Sequence, residues 1–218
     1  MNVDDLRNYL RQEGLAETPK GCEEDDFFFT CTVDIASAIA RYAHRNQKRD
    51  NGLEYYSHPY MCMRRYQAFV GIANDPFCID SDLMVRLDLP TFEGIQEVCL
   101  MHDVVEDTDV TMDEIKAIFD ECGYKTYYTM YIEDALKRIT HDKSEPYEVY
   151  MQKVIGNPRS AMAKFMDLID NLNLTGLRQL TTKEARRAKR YINYCKMIED
   201  KYHFLQKIYV YFAIRDKE

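Results

Sequence analysis

The chain has 218 residues, 46% of them apolar and 12% aromatic, and a formal net charge of −8. That apolar content sustains a full core and excludes a disordered chain. The length fits one moderate domain or one carrying insertions, and the negative charge argues against a nucleic-acid surface.

No apolar run approaches the ~20 residues of a spanning helix. The N-terminal MNVDDLRNYLRQEG places acids where a secretory signal carries a basic and then an apolar region. These features predict a soluble, intracellular chain with no membrane partner. Cysteines at 22, 31, 62, 78, 99, 122 and 195 form no CxxC pair, which suits a reducing cytoplasm rather than a disulfide framework or zinc ribbon.

Along the chain, CEEDDFFFTC at 22–31 reads in two ways. It is an exposed acidic turn leading a hydrophobic staple into the next helix, or a lid or oligomer contact presenting Phe27–Phe29. From Val33, Ile35, Ile39 and Tyr42 recur at helical spacing, with Thr32 as N-cap. Residues 49–57 form a polar loop broken at Gly52, and His58-Pro59 opens a helix to about residue 71 with Pro near its first position. Residues 72–90, flanked by Gly71 and Pro90 and containing Pro76, read as an insertion. A helix at 91–102 ends at a His-Asp doublet. Thr111 and Glu114 make a capping box for a helix at 112–121. Further helices are expected at 125–139, 146–155, 158–174 and, as one long element from Thr182, at 182–212. With no β alternation and no glycine-rich phosphate loop, the fold class is all-α. The tyrosines of the last helix (191, 194, 202, 209, 211) belong to the core or to a contact surface, which leaves an oligomer open.

The chemistry centres on HDVVED at 102–107. An imidazole beside a carboxylate suits a borderline divalent cation such as Mn²⁺, Fe²⁺ or Zn²⁺. Such an ion brings the pKa of bound water from about 15.7 towards 7, and Glu106, with Asp107 beside it, could handle the protons. His58, His102, Asp103 and Asp167 together would supply two nitrogens and two carboxylate oxygens and leave positions open, as in a catalytic site. Each has a plainer alternative: an adjacent His-Asp pair arises by chance, and His58 before Pro59 suits a cap. Asp167 lies among Phe165, Met166, Leu168 and Ile169, where a carboxylate needs a partner or a metal. Asp170 competes with it for the same role.

Three segments, AHRNQKRDNGLEYYSHP (43–59), CLMHDVVEDTDVTMDEI (99–115) and AKFMDLIDNL (163–172), together resemble the HD-domain hydrolases of the Rel/Spo-type family. The likeness is greatest to its small stand-alone alarmone hydrolases. The family pattern of His-x2-Gln-x-Arg, Gly-x2-Tyr-x2-His-Pro, Leu-x-His-Asp-x2-Glu-Asp-Thr and Lys-x2-Asp-x3-Asn-Leu runs in order over roughly residues 32–200. It starts at His44, Gln47 and Arg49, passes through Gly52, Tyr55 and His58, and ends with Lys164, Asp167 and Asn171.

The resemblance implies an HD-domain helical bundle over residues 32–218, with residues 1–31 as an N-terminal extension and 72–90 inserted between the second and third family helices. It places His58, His102, Asp103 and Asp167 on the metal, Mn²⁺ or another divalent transition ion, and leaves Asp170 at a variable position. It gives Glu106 and Asp107 the activation of water. Arg49 would meet the guanine face and Asn171 the ribose or scissile phosphate. Arg187 and Tyr191, four apart on one helix face, and Lys143 are further substrate contacts, the first pair reading equally as an exposed basic face. The implied reaction removes pyrophosphate from the 3′ position of ppGpp or pppGpp. Asp50 and Glu54 stand where the family has a basic residue and Pro. They motivate a second reading, hydrolysis of a different nucleotide phosphoester. A third is a nucleotide sensor without turnover.

Overall fold

The computed structural model describes residues 1–15, 29, 31–70, 93–173 and 180–215, with backbone alone from 211 onward. Among the described residues every regular element is a helix, apart from one isolated β-bridge between Lys48 and Glu54. The predicted insertion at 72–90 and most of the acidic, Phe-rich segment lie outside the described residues. Phe29 is described, and it is buried in the core.

The chain opens with α1 (Val3–Gln12), started by a capping box between Asn2 and Asp5. Val3, Leu6 and Leu10 fall on one face and join the common core, where α1 packs on α2 (Thr32–Ala43). Thr32 is not the N-cap of α2. Cys31 holds that position without a side-chain bond, and the Thr32 hydroxyl donates to the Glu97 carboxylate. A buried acid has recruited the hydroxyl that would otherwise serve the helix end. The next helix, α3 (Ser57–Phe69), puts Pro59 third rather than first. Its missing N–H still falls in the first turn, where amides lack an intrahelical acceptor.

The structural axis is α4 (Ile95–Met101), a seven-residue helix buried on nearly every side and packed against α2, α3 and the later α10 (Pro158–Asn171). Apart from Gln96 and Glu97 its residues are apolar, which suits a helix in the interior. It starts at Gly94, whose φ of +83° and tight seat explain the residue: an added Cβ would lie 2.4 Å from the Tyr131 carbonyl oxygen. After α5 (Val104–Asp107), the expected box of Thr111 and Glu114 caps α6 (Met112–Glu121). The segment 125–139 is interrupted. Between α7 (Lys125–Tyr127) and α8 (Glu133–Ile139) the turn widens to a π-helical Tyr128–Ile132, with Tyr128 and Ile132 both buried.

The helices α9 (Tyr147–Val154) and α10 follow, the latter capped by the Asn157 side chain with Pro158 at its start. The last predicted helix is two. α11 (Thr182–Tyr202) ends at His203, whose φ of 54° is left-handed, and α12 (Phe204–Arg215) resumes at once. Two interactions make the break. The Glu199 carboxylate accepts from Leu205 N–H at 3.1 Å, capping the new start. Phe204 is fully buried and stacks on Tyr202 at 4.9 Å. Tyr191, Tyr194 and Tyr202 are partly buried against the core, whereas Tyr209 is exposed.

Glu97 is the unusual member of α4: 2% exposed, receiving the Thr32 hydroxyl and, at 3.2 Å, the Tyr127 hydroxyl. No ion pair joins it to a cation among the described residues, and burial raises its carboxyl pKa. A carboxyl with a raised folded pKa favours the fold when protonated, and that contribution is lost as pH rises through the raised value. Glu97→Gln keeps an acceptor without the charge, so its urea midpoint should exceed that of the parent at pH 8 and converge with it near pH 4. A difference that does not vary with pH would contradict this account of Glu97.

Candidate metal centre

Three helix segments deliver the doublet and its distant partners to one point. His102 closes α4, and Asp103 follows with φ −97° and ψ −6°, so the helix breaks between α4 and α5. The break lets adjacent side chains converge, with His102 Nε2 3.1 Å from Asp103 Oδ2. His58, in the first turn of α3, puts Nε2 3.1 Å from Asp167 Oδ1 and 3.7 Å from Asp103 Oδ2. Asp167, in the buried face of α10, lies 3.7 Å from His102 Nε2. His58, His102 and Asp167 are each at least 96% buried.

The outward atom of each imidazole is held. His58 Nδ1 is 2.8 Å from Asp170 Oδ2, and His102 Nδ1 is 2.8 Å from the Cys99 carbonyl oxygen. Both Nδ1 atoms therefore carry the proton and donate, which leaves both Nε2 lone pairs facing the carboxylates. His102 Nε2 is buried and makes no hydrogen bond, although Asp103 Oδ2 is close. Lone pair against anionic oxygen is repulsive unless a cation or protons intervene. Atoms that share an ion at about 2.0–2.2 Å lie roughly 3–3.5 Å from one another, so the observed spacing fits such a set.

Where no ion is present, protons on the imidazoles answer the same crowding. Burial opposes charge on His102, but Asp103 and Asp167 outweigh it and hold the imidazole well above the usual histidine range. Burial likewise works against Asp167, yet Lys164 and the two histidines keep its carboxyl well below the usual range. Lys164 Nζ sits 2.7 Å from Asp167 Oδ2, and Asn171 Nδ2–H donates to Asp167 Oδ1 at 2.5 Å. Tyr55 O–H donates to Asp103 Oδ2 at 2.7 Å.

His58, Cys62, His102 and Asp167 form a buried group whose ligand atoms lie within 4.8 Å of one another and could hold a metal ion. Cys62 was not anticipated from the sequence, although it lies one helical turn beyond His58. Its Sγ approaches the wrong ring atom, Nδ1 of His58, at 3.8 Å, and burial pushes its thiol up to about 12. A protonated thiol on the far side of the ring is a poor ligand, whereas Asp103 is ionised and touches both Nε2 atoms.

Around this cluster the other expected residues divide. Glu106 is half-buried and accepts from His141 N–H at 3.1 Å. Its carboxyl is raised by burial and by the nearby Asp103 and Asp107. Asp107 lies at the rim, 3.3 Å from Lys143 Nζ. Arg49 contacts Asp170 at 3.3 Å, and Asn171 reaches the cluster through Asp167. Arg187 and Tyr191 are half-buried on α11, and no hydrogen bond or ion pair among the described residues ties either to the cluster. His44 and Gln47 brace the loop below: His44 Nδ1 bonds Gln47 Oε1 at 2.7 Å, Gln47 Nε2 bonds the Asp107 carbonyl at 2.8 Å, and the His44 ring packs on Tyr55. Glu54 lines a different cleft, shared with Tyr9 and Arg41 between α1 and α2, and Asp50 is exposed. Asp170, read from the sequence as a variable position, is 95% buried and bonded to three side chains.

No family model matches the chain. Among curated proteins it is similar to guanosine-3′,5′-bis(diphosphate) 3′-pyrophosphohydrolase MESH1 of Danio rerio, 29% identical over 167 residues that cover 73% of this chain and 78% of that protein. The Mus musculus protein of the same name is 29% identical over 67% of this chain and 69% of its own length. For that of Drosophila melanogaster the match is 28% over 50% of this chain, and the chain spans 59% of the relative. A solved structure of a metazoan ortholog of SpoT, described as hydrolysing ppGpp and acting in starvation responses, superposes with a TM-score of 0.51 at 21% identity. The overlay covers 87% of this chain and 98% of that one. The chain is similar to the small, stand-alone alarmone hydrolases of the HD type. The structural overlay establishes the shared fold, which among the described residues of this chain is all-α.

Metal titration separates the two candidate fourth ligands. Cys62→Ala should bind Mn²⁺ like the parent, while Asp103→Ala should lose at least about tenfold in affinity, read by the metal-induced rise in melting temperature. The reverse ranking would assign the site to Cys62.

Proposed function

We propose that the chain hydrolyses guanosine 3′-diphosphate alarmones, ppGpp and pppGpp, to GDP or GTP and pyrophosphate. Mn²⁺ would be held by His58, His102, Asp103 and Asp167. The observation that carries this reading is the pair of Nε2 atoms set 3.1–3.7 Å from two carboxylate oxygens, with Glu106 alongside. The relatives' names support the substrate.

The cation, when bound, supplies Lewis-acid chemistry: it acidifies water and offsets charge on the phosphoryl group. The chain's own residues do the rest. Glu106, its carboxyl already raised towards neutrality, accepts the proton of the attacking water as oxygen bonds to the 3′-linked phosphorus. The bond from that phosphorus to the ribose 3′-oxygen breaks, pyrophosphate leaves, the 3′-oxygen takes up a proton from solvent, and Glu106 returns its proton to solvent. Asp107 and Lys143 form an ion pair at the rim, where Lys143 can turn to an incoming phosphate. Arg49 serves the base and Asn171 the ribose or scissile phosphate, with Arg187 and Tyr191 closing the pocket from α11. Glu54 faces the α1–α2 cleft with Tyr9 and Arg41, which removes one of the two acids that argued for another nucleotide.

We take residues 32–218 as the hydrolase unit and 1–31 as an addition whose α1 buttresses α2. No described helix is long and apolar enough to cross a membrane, and the five described cysteines are free, which supports work in the reducing cytoplasm.

Purified protein with Mn²⁺ should release pyrophosphate from ppGpp, and EDTA should stop it. Glu106→Gln should lower kcat about 10²–10⁴-fold while nucleotide still binds. Metal-replete enzyme that leaves ppGpp intact would refute the substrate assignment.

A further inference from the structure

Asp170 lies one turn beyond Asp167 on α10 and is 5% exposed. Its Oδ2 accepts from His58 Nδ1–H at 2.8 Å and faces Arg49 Nη1 at 3.3 Å. Its Oδ1 accepts from Arg65 Nε–H at 3.1 Å. Arg65 is seven residues past His58, two turns along the same face of α3, so α3 offers both an imidazole and a guanidinium to one carboxylate.

A carboxylate on the far nitrogen of a metal-binding imidazole fixes the tautomer and ring angle and raises the basicity of the coordinating nitrogen. His102 lacks that arrangement, because its Nδ1 partner is a neutral carbonyl. The two imidazoles are therefore unequal, and His58 alone has an anionic brace. The same oxygen that braces His58 also holds Arg49, which the sequence motif places at the substrate base.

We propose that Asp170 is a positioning residue with two arms: Oδ2 locks His58 for the metal and sets Arg49 at the substrate pocket, while Arg65 anchors Oδ1. The Arg49 arm rests on the hydrolase reading; the His58 arm rests on the geometry of this site alone.

Calorimetric titration of the full chain with Mn²⁺, alongside melting of the metal-free protein, tests it. Asp170→Ala should bind Mn²⁺ about 10–100-fold more weakly. Asp170→Asn, which keeps an oxygen acceptor for His58 without the charge, should fall between it and the parent. Arg65→Met should bind metal like the parent. In steady-state assays, KM for ppGpp should rise in Asp170→Ala, because Arg49 is released. A mere staple between α3 and α10 would instead lower the melting temperature of Asp170→Ala and Arg65→Met alike with metal affinity intact, and that result would overturn the proposal. If Asp170→Ala does not fold, Asp170→Asn decides alone: weaker Mn²⁺ binding supports the brace, and parental affinity refutes it. A chain that never cleaves ppGpp would still report on the His58 arm by calorimetry, so the two failures are distinguishable.

Discussion

Two imidazole nitrogens and two carboxylate oxygens are pressed together in a buried site, and that crowding governs the structure around it. Buried charge is costly unless each atom has a partner. The chain answers atom by atom. Asp170 and the Cys99 carbonyl take the Nδ1 protons, Tyr55 and Asn171 donate to the carboxylates, and Lys164 neutralises the second oxygen of Asp167. What remains without a hydrogen bond in the cluster is His102 Nε2, and a divalent ion would be a partner that fits it.

Holding four side chains to within a few tenths of an ångström requires stiff supports, and the architecture supplies them. α4 is short and buried on nearly all sides, so it cannot shift without disturbing α2, α3 and α10 together. The His102–Asp103 doublet sits where α4 breaks, and the break lets these neighbouring side chains aim at one place. His58 lies in the first turn of α3, and Asp167 projects from the buried face of α10, between Phe165, Met166 and Leu168 on one hand and Asp170 one turn on. Outside these helix ends, Asp107 and Lys143 pair on the exposed surface.

Much of this was legible in the residues. The box of Thr111 and Glu114, the start at Thr182 and the gathering of His58, the doublet and Asp167 all followed from local chemistry or from ordered motifs. The misses share a cause: a tertiary partner outbid a local rule. Thr32 would cap α2, but buried Glu97 claims its hydroxyl. Residues 182–212 have helical character throughout, yet burial of Phe204 and capping by Glu199 turn the chain at His203. The π-turn at Tyr128–Ile132 lies against Gly94, where an added Cβ would come 2.4 Å from the Tyr131 carbonyl oxygen. The contacts of Asp170 could not be read locally, since Arg49, Arg65 and His58 lie more than 100 residues away in sequence.

The central claim is that a single divalent ion is shared by His58, His102, Asp103 and Asp167. Anomalous scattering at the manganese edge, from crystals grown with Mn²⁺, reads it directly. One peak should stand at bonding distance, about 2.0–2.3 Å, from both Nε2 atoms and from an oxygen of each aspartate, with Cys62 Sγ beyond reach. A peak bonded to Cys62 with Asp103 turned away, or manganese bound elsewhere while this cluster stays closed, would contradict it.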